Sequence, residues 1–141
     1  MVTDNLQQAS QRKLPVIELE TFDSQLNGFS SELQEKNLNT ALDTLEGVGK
    51  NPSSSIAEMA EIWKSGNDEQ LLELTNSMNT DPEYQKAQLT DRNIGMANKI
   101  DSYLQHGGGK NHFIVVGVAH YLGEDGIVKL LQHKGYTVVR K

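Results

Sequence analysis

Cysteine is absent from the 141 residues, so thiolate nucleophiles, disulfides and sulfur-ligated zinc are excluded, and the available chemistry is that of imidazole, carboxylate and guanidinium. Among the four histidines, His120 is the first candidate. It closes a Gly117-Val118-Ala119-His120 turn directly after an apolar run, a place from which an imidazole projects as a general base or a metal ligand. The same spacing also suits a histidine that merely caps or bonds within its turn. His106 and His133 fall in last helical turns, where a cation complements the helix dipole, and His112 opens an extended run.

Two further residues have the types that such a site needs. Glu20 ends a short apolar stretch, and a carboxylate beside His120 could bind a divalent metal with it or work as its acid–base partner; alternatively Glu20 supports the first turn of the helix that follows. Arg92 interrupts an apolar seam, three residues after Leu89 and four before Met96. An unpaired guanidinium there would cost several kcal/mol by order of magnitude, so the seam predicts a carboxylate, a ligand or a watery cleft facing it. Glu124 and Asp125 read as ordinary first-turn acids, and Asp91 as a surface neighbour of Arg92.

Several signatures can be rejected. Gly47-Val-Gly-Lys50 and Gly107-Gly-Gly-Lys110 lack the upstream glycine and the following Ser or Thr of a phosphate-cradling loop. Neither a Gly-x-Ser-x-Gly elbow nor a His-Glu-x-x-His helix occurs. A net charge of -6, with 13 scattered Lys and Arg, disfavours nucleic-acid binding. No apolar stretch is long enough for a membrane span, and the polar first residues lack the apolar core of a signal peptide, so localisation stays open.

The elements that must position these groups follow from periodicity. Residues 112–141 read as a βαβ unit: a strand over 113–116, a helix from about 124 to 133 stopped by Gly135, and a strand over 136–139. A run without alternation suits a strand covered on both faces, and two such strands joined by one helix should lie parallel. A third strand covers residues 14–20. Thr21 is a predicted N-cap for a helix bearing Phe22, Leu26, Phe29 and Leu33, with Gln25 beside that stripe. Short helices are predicted over 38–48, after Ser54 or Ser55 (Ile56, Met59, Ala60 and Trp63 on one face), and from Asp68 (Leu71, Leu72, Thr75, Met78). The longest helix starts at Asp81-Pro82 and runs to about Gln105, burying Leu89, Met96, Ala97, Ile100, Tyr103 and Leu104. The fold expected is α/β: a small, mostly parallel sheet with a C-terminal βαβ unit and a layer of short helices. Residues 1–12 form a polar arm or helix end before one domain over 13–141.

The run Val115-Val-Gly-Val-Ala-His-Tyr-Leu-Gly-Glu-Asp-Gly-Ile127 ahead of Gly135-Tyr-Thr-Val138 resembles the C-terminal signature of the TraB/GumN family, which includes the Tiki proteases. Arg92-Asn93 with Met96 and Ile100 is similar to that family's Arg-Asn helix, and Leu19-Glu20-Thr21 followed by Gln25 to its Leu-Glu-Thr motif. The resemblance spans nearly the whole chain from about Lys13. It implies the C-terminal half of a metal-dependent hydrolase, peptidase-like, with Glu20, Arg92 and His120 as catalytic residues and His120 and Glu20 as ligands of a divalent metal. Arg92 would hold a substrate carboxylate or an oxyanion. His120 matches the second of two Gly-x-x-His motifs, and the first is missing from this sequence, so a missing N-terminal half or self-association through an uncovered sheet edge is expected. The competing expectation is a non-catalytic binding module for a peptide or small signalling molecule. Family members are often exported, which leaves the compartment open.

Overall fold

The computed structural model describes residues 2–26, 38, 52–78 and 81–140. Its frame is one long, interrupted helical rod. Asp81 caps the rod by accepting from the backbone N–H groups of Glu83 (2.9 Å) and Tyr84 (3.2 Å), and Pro82 occupies a first-turn position where its missing N–H does no harm. The rod then runs as α5 (Pro82–Gln85), a π-helical turn (Lys86–Thr90) and α6 (Asp91–His106). Before it come α1 (Val2–Gln11), α2 (Phe22–Leu26), α3 (Pro52–Ser65) and α4 (Asp68–Met78); after it come a 3-10 turn (Val118–His120) and α7 (Ile127–His133).

Local chemistry sets these boundaries. The Thr21 hydroxyl accepts from the Ser24 N–H at 3.1 Å at the head of α2. The Asn67 side chain accepts from Glu69 (3.0 Å) and Gln70 (3.1 Å) at the head of α4. α3 begins at Pro52, earlier than a cap at Ser54 or Ser55 would place it, because proline is itself a good first-turn residue. α7 starts at Ile127 and not near Glu124: Gly126 lies so close to the carbonyl oxygens of Tyr121 and Leu122 that a Cβ would stand 2.5 Å from each. The helix predicted over 38–48, with Phe29 and Leu33 of the one before it, lies outside the described residues apart from Leu38.

The core sits where α6 meets α7. Met96, Ile100 and Ile127 are essentially inaccessible, and Leu19, Ile114, Val116 and Leu131 pack around them. Leu104, expected on this face, is exposed, as is Trp63 of α3; Leu71 of α4 is buried. The C-terminal segment is tied back to the helices: the Tyr136 hydroxyl donates to Asp101 at 2.6 Å, and Arg140 reaches Asp68 (2.8 Å) and the Gly66 carbonyl (2.8 Å).

The expected parallel sheet and βαβ unit are overturned: among the described residues there is no strand. Residues 14–18, 113–116 and 136–139 run as chain without regular structure, a bend covers 19–20, and these stretches form no ladder with one another. The physical reason is one-sided burial. Ile114 and Val116 turn onto the α6–α7 core while Phe113 is 85% exposed and Val115 39%. Because both faces of this run are apolar in sequence, the absence of alternation mimics a strand covered on both sides, whereas α6 covers only one. Residues 14–17 are likewise turned outward, and only Leu19 and Glu20 reach inward.

Candidate functional site

α6 presents two adjacent polar side chains toward the core, and each finds a partner from a distant stretch. Arg92 meets Glu20, 72 positions earlier, in a two-pronged pair: Nε donates to one carboxylate oxygen and Nη2 to the other, both at 2.7 Å. Such fork-to-fork geometry is the strongest that a guanidinium makes. The third nitrogen, Nη1, donates back to the Gln88 carbonyl at 3.3 Å, a backbone group in the π-helical turn. Side-chain exposure is 22% for Arg92 and 11% for Glu20, so solvent screens this pair weakly. The partner that the interrupted seam demanded is therefore a carboxylate.

Asn93, 2% exposed, carries the second link. Its Nδ2 donates to the backbone carbonyl of Asp125 at 2.9 Å, and its Oδ1 lies 2.7 Å from Nδ1 of His120. The Thr90 hydroxyl adds a bond to the Asp125 carboxylate at 3.1 Å, which ties the residue 121–126 loop to the same turn of the rod. His120 itself stands in the 3-10 turn: its backbone N–H donates to the Gly117 carbonyl at 3.0 Å. Gly117 has φ -64° and ψ 147°, values open to any residue, and a Cβ there would make only ordinary contact with the His120 ring. The glycine in the Gly-x-x-His pattern thus answers no backbone requirement.

The electrostatics follow from this clustering. The Arg92 guanidinium bonded to Glu20 holds that carboxyl below its ordinary range; burial opposes this, and the charges of Arg92 and His120 and a Gln25 hydrogen bond assist it. Glu20 in turn raises the already high value of Arg92. Burial depresses the His120 imidazole below 6.5, the nearby Arg92 charge depresses it further, and Glu20 acts the other way. The result is a neutral imidazole beside a closed ion pair.

Glu20, Arg92 and His120 are thus brought into one neighbourhood. The other candidates are elsewhere. His106 bonds to the Ser102 carbonyl within α6, His133 ends α7, and His112 stacks on Tyr103. Asp91 pairs with Lys86 at the surface. Asn93 and Asp125 are the members that sequence reasoning missed; the available signal was a polar residue at the buried phase of α6, next to an arginine already singled out. Two grooves flank the cluster. One, of about 370 Å³, is lined by Leu19, Glu20, Thr21, Arg92, Met96 and Lys99. The other, of about 500 Å³, lies across Thr90, Asn93, Ala119, Leu122 and Asp125.

The donor set does not fit a metal centre by itself. Among the described residues no three or more His, Asp or Glu side chains gather to hold an ion. Both Glu20 oxygens already accept from Arg92, whose positive charge opposes a dication beside it, and His120 offers one ring nitrogen beyond the one facing Asn93. Among the described residues, Glu20 and His120 as a metal-ligand pair therefore have no third donor beside them, and the Glu20 carboxylate is committed to Arg92.

A family model described as TraB/PrgY/gumN family matches residues 2–140. No curated protein and no solved structure matches the chain. Among the described residues no helix is long and apolar enough to cross a membrane.

Proposed function

Because the chain belongs to the TraB/PrgY/gumN family, we propose that it carries part of a hydrolase site, peptidase-like by the family resemblance, with His120 as general base. The observation that supports this reading is the meeting of Glu20, Arg92 and His120 from three remote stretches, with a neutral imidazole beside a paired carboxylate. A neutral ring near pH 7 can take a proton from a water as that water attacks a carbonyl carbon, and can return it to the leaving group. In this reading the Glu20–Arg92 pair is fixed charge beside the base. Within the pair the Glu20 carboxylate favours the imidazolium that forms in the step, the Arg92 charge opposes it and keeps the resting ring neutral, and Arg92 holds that carboxylate in place. Arg92 has its Nε and Nη2 committed to Glu20, so it acts here by positioning and not as the principal clamp for a substrate carboxylate.

The test is peptide hydrolysis by the wild-type chain and by His120→Ala, with a loss of about 10²–10⁴-fold in kcat/KM expected for removal of a general base. Equal rates in the two proteins would remove His120 from this role. A metal-assisted version needs donors besides Glu20 and His120; calorimetric titration of the same two proteins with a divalent cation decides it, since a site that includes His120 is lost in the variant.

The second reading is a binding module for a peptide or small signalling molecule. The groove along α2 and α6 favours it, with an apolar floor of Leu19 and Met96 and the Lys99 ammonium at its rim, 3.5 Å from the Glu18 carbonyl. A ligand held there would lose affinity in Lys99→Ala and keep it in His120→Ala. Self-association belongs to either reading, through the apolar side chains that residues 14–17 and 113–116 leave exposed. Sedimentation of the wild-type chain as a concentration-independent monomer would remove it.

A further inference from the structure

The orientation of the Asn93 amide is determined by a group with no ambiguity of its own. The Asp125 main-chain carbonyl can only accept a hydrogen bond, so the Asn93 atom 2.9 Å from it must be the donor Nδ2. The flipped amide would set two oxygens against each other at that distance. Oδ1 is then the atom that faces His120, at 2.7 Å from Nδ1, and an amide oxygen has no hydrogen to give. The proton in that contact has one possible origin, the ring.

We propose that Asn93 is a positioning residue that holds neutral His120 in the Nδ1–H tautomer, so that Nε2 carries the lone pair of the site. The proposal gives the base reading of His120 its atom, and rests on that reading only for its use in catalysis. Free histidine favours the other tautomer, with the proton on Nε2, so the amide reverses an intrinsic preference. The chain of bonds runs from the Asp125 carbonyl through the Asn93 amide to the imidazole, and its middle member is buried on the rigid helix that also carries Arg92. Thr90, one turn back, bonds to the Asp125 carboxylate at 3.1 Å and steadies the loop that supplies the carbonyl. This parallels the general rule that the partner of one imidazole nitrogen decides what the other can do.

The experiment is long-range ¹H–¹⁵N correlation on the histidine-labelled chain at about pH 8, where the ring is neutral, with the His120 signals identified by their absence from His120→Gln. The wild-type chain should show Nδ1 as the predominantly protonated, pyrrole-type nitrogen and Nε2 as the bare, pyridine-type one, with the tautomer ratio shifted about tenfold from that of free histidine, the scale of one buried hydrogen bond. Asn93→Leu removes the acceptor toward the ring and should move His120 toward the Nε2–H form. A wild-type spectrum dominated by Nε2–H, or an Asn93→Leu spectrum identical to wild type, overturns the proposal. If Asn93→Leu does not fold, the wild-type spectrum decides it, since Nε2–H there overturns the proposal. A chain with no hydrolytic activity but an Nδ1–H spectrum would end the hydrolase reading and leave the tautomer assignment standing.

Discussion

Two regions of the molecule use apolar side chains in opposite ways. Along the seam of α6 with α7, Met96, Ala97, Ile100 and Ile127 are all at 2% exposure or less, and Asn93 is packed among them with both ends of its amide bonded. Along the irregular segments, Val16, Ile17, Phe113 and Val139 stand 59–85% exposed, and each segment presses only one row of side chains inward. The difference shows what positions the candidate site. Polar groups with demanding geometry sit on the helix that cannot move without opening the core, while the irregular segments deliver single residues, Glu20 and the His120 turn, to that helix.

The largest expected effect is the contrast in truncation cost. Met96→Ala should destabilise the chain by about 3 kcal/mol, within the range for removing a fully buried methionine side chain. Ile17→Ala should change stability by less than about 0.5 kcal/mol, because its side chain is already in water. Denaturant titration of both variants against wild type measures the difference. An Ile17→Ala cost approaching that of Met96→Ala would break the comparison, and would mean that the exposed row is covered in solution by another chain.

A smaller effect sharpens the contrast for charges. Arg92→Ala leaves the Glu20 carboxylate poorly hydrated and unpaired, at a cost of about 2–3 kcal/mol, below the figure for a fully buried pair because Arg92 keeps 22% exposure. Lys64→Ala, which breaks the exposed 2.8 Å pair with Glu61 on α3, should cost less than about 0.5 kcal/mol. A double-mutant cycle of Arg92→Ala with Glu20→Ala isolates the coupling. A coupling energy no larger than that of the Lys64–Glu61 pair would show that the two-pronged geometry is not held in solution.

How much of this was legible in the residues depends on the kind of signal. Arg92 was legible because a charge in an apolar seam implies a partner, and helix periodicity is reliable over a few turns. Glu20 and His120 were reached as residues at the ends of two predicted parallel strands, a premise that fails: among the described residues Glu20 lies in a bend of unpaired chain and His120 in a 3-10 turn, both beside α6. Residues 113–116 could not reveal this, since four apolar side chains in a row look the same whether one face or two are covered. The π-helical turn over Lys86–Thr90 left no mark in composition, although it changes the phase of everything before Asp91 relative to α6. Asn93 was passed over because attention fell on its charged neighbour, yet a buried amide has as strict a need for partners as a buried guanidinium.

The mildest expected effect comes from titrating the cluster in place. The folded His120 has its pKa below 6.5, so between that depressed value and 6.5 the unfolded chain binds the proton that the folded chain refuses. Its contribution is therefore complete above about pH 7, declines as pH falls through 6.5, and stops declining once the folded ring protonates. Glu20 follows a separate window: its stabilisation is present above 4.5 and is lost as pH falls through its lowered folded value. Between about pH 7 and pH 5, then, the His120 slope stands without interference from Glu20. Stability of wild type and His120→Gln, measured by denaturant across that interval, should converge toward acid, the other histidines being common to both proteins. Parallel curves would mean that the His120 ring is as free to take a proton in the folded chain as in the unfolded one, and would place the imidazole on the exposed side of the comparison, away from the seam.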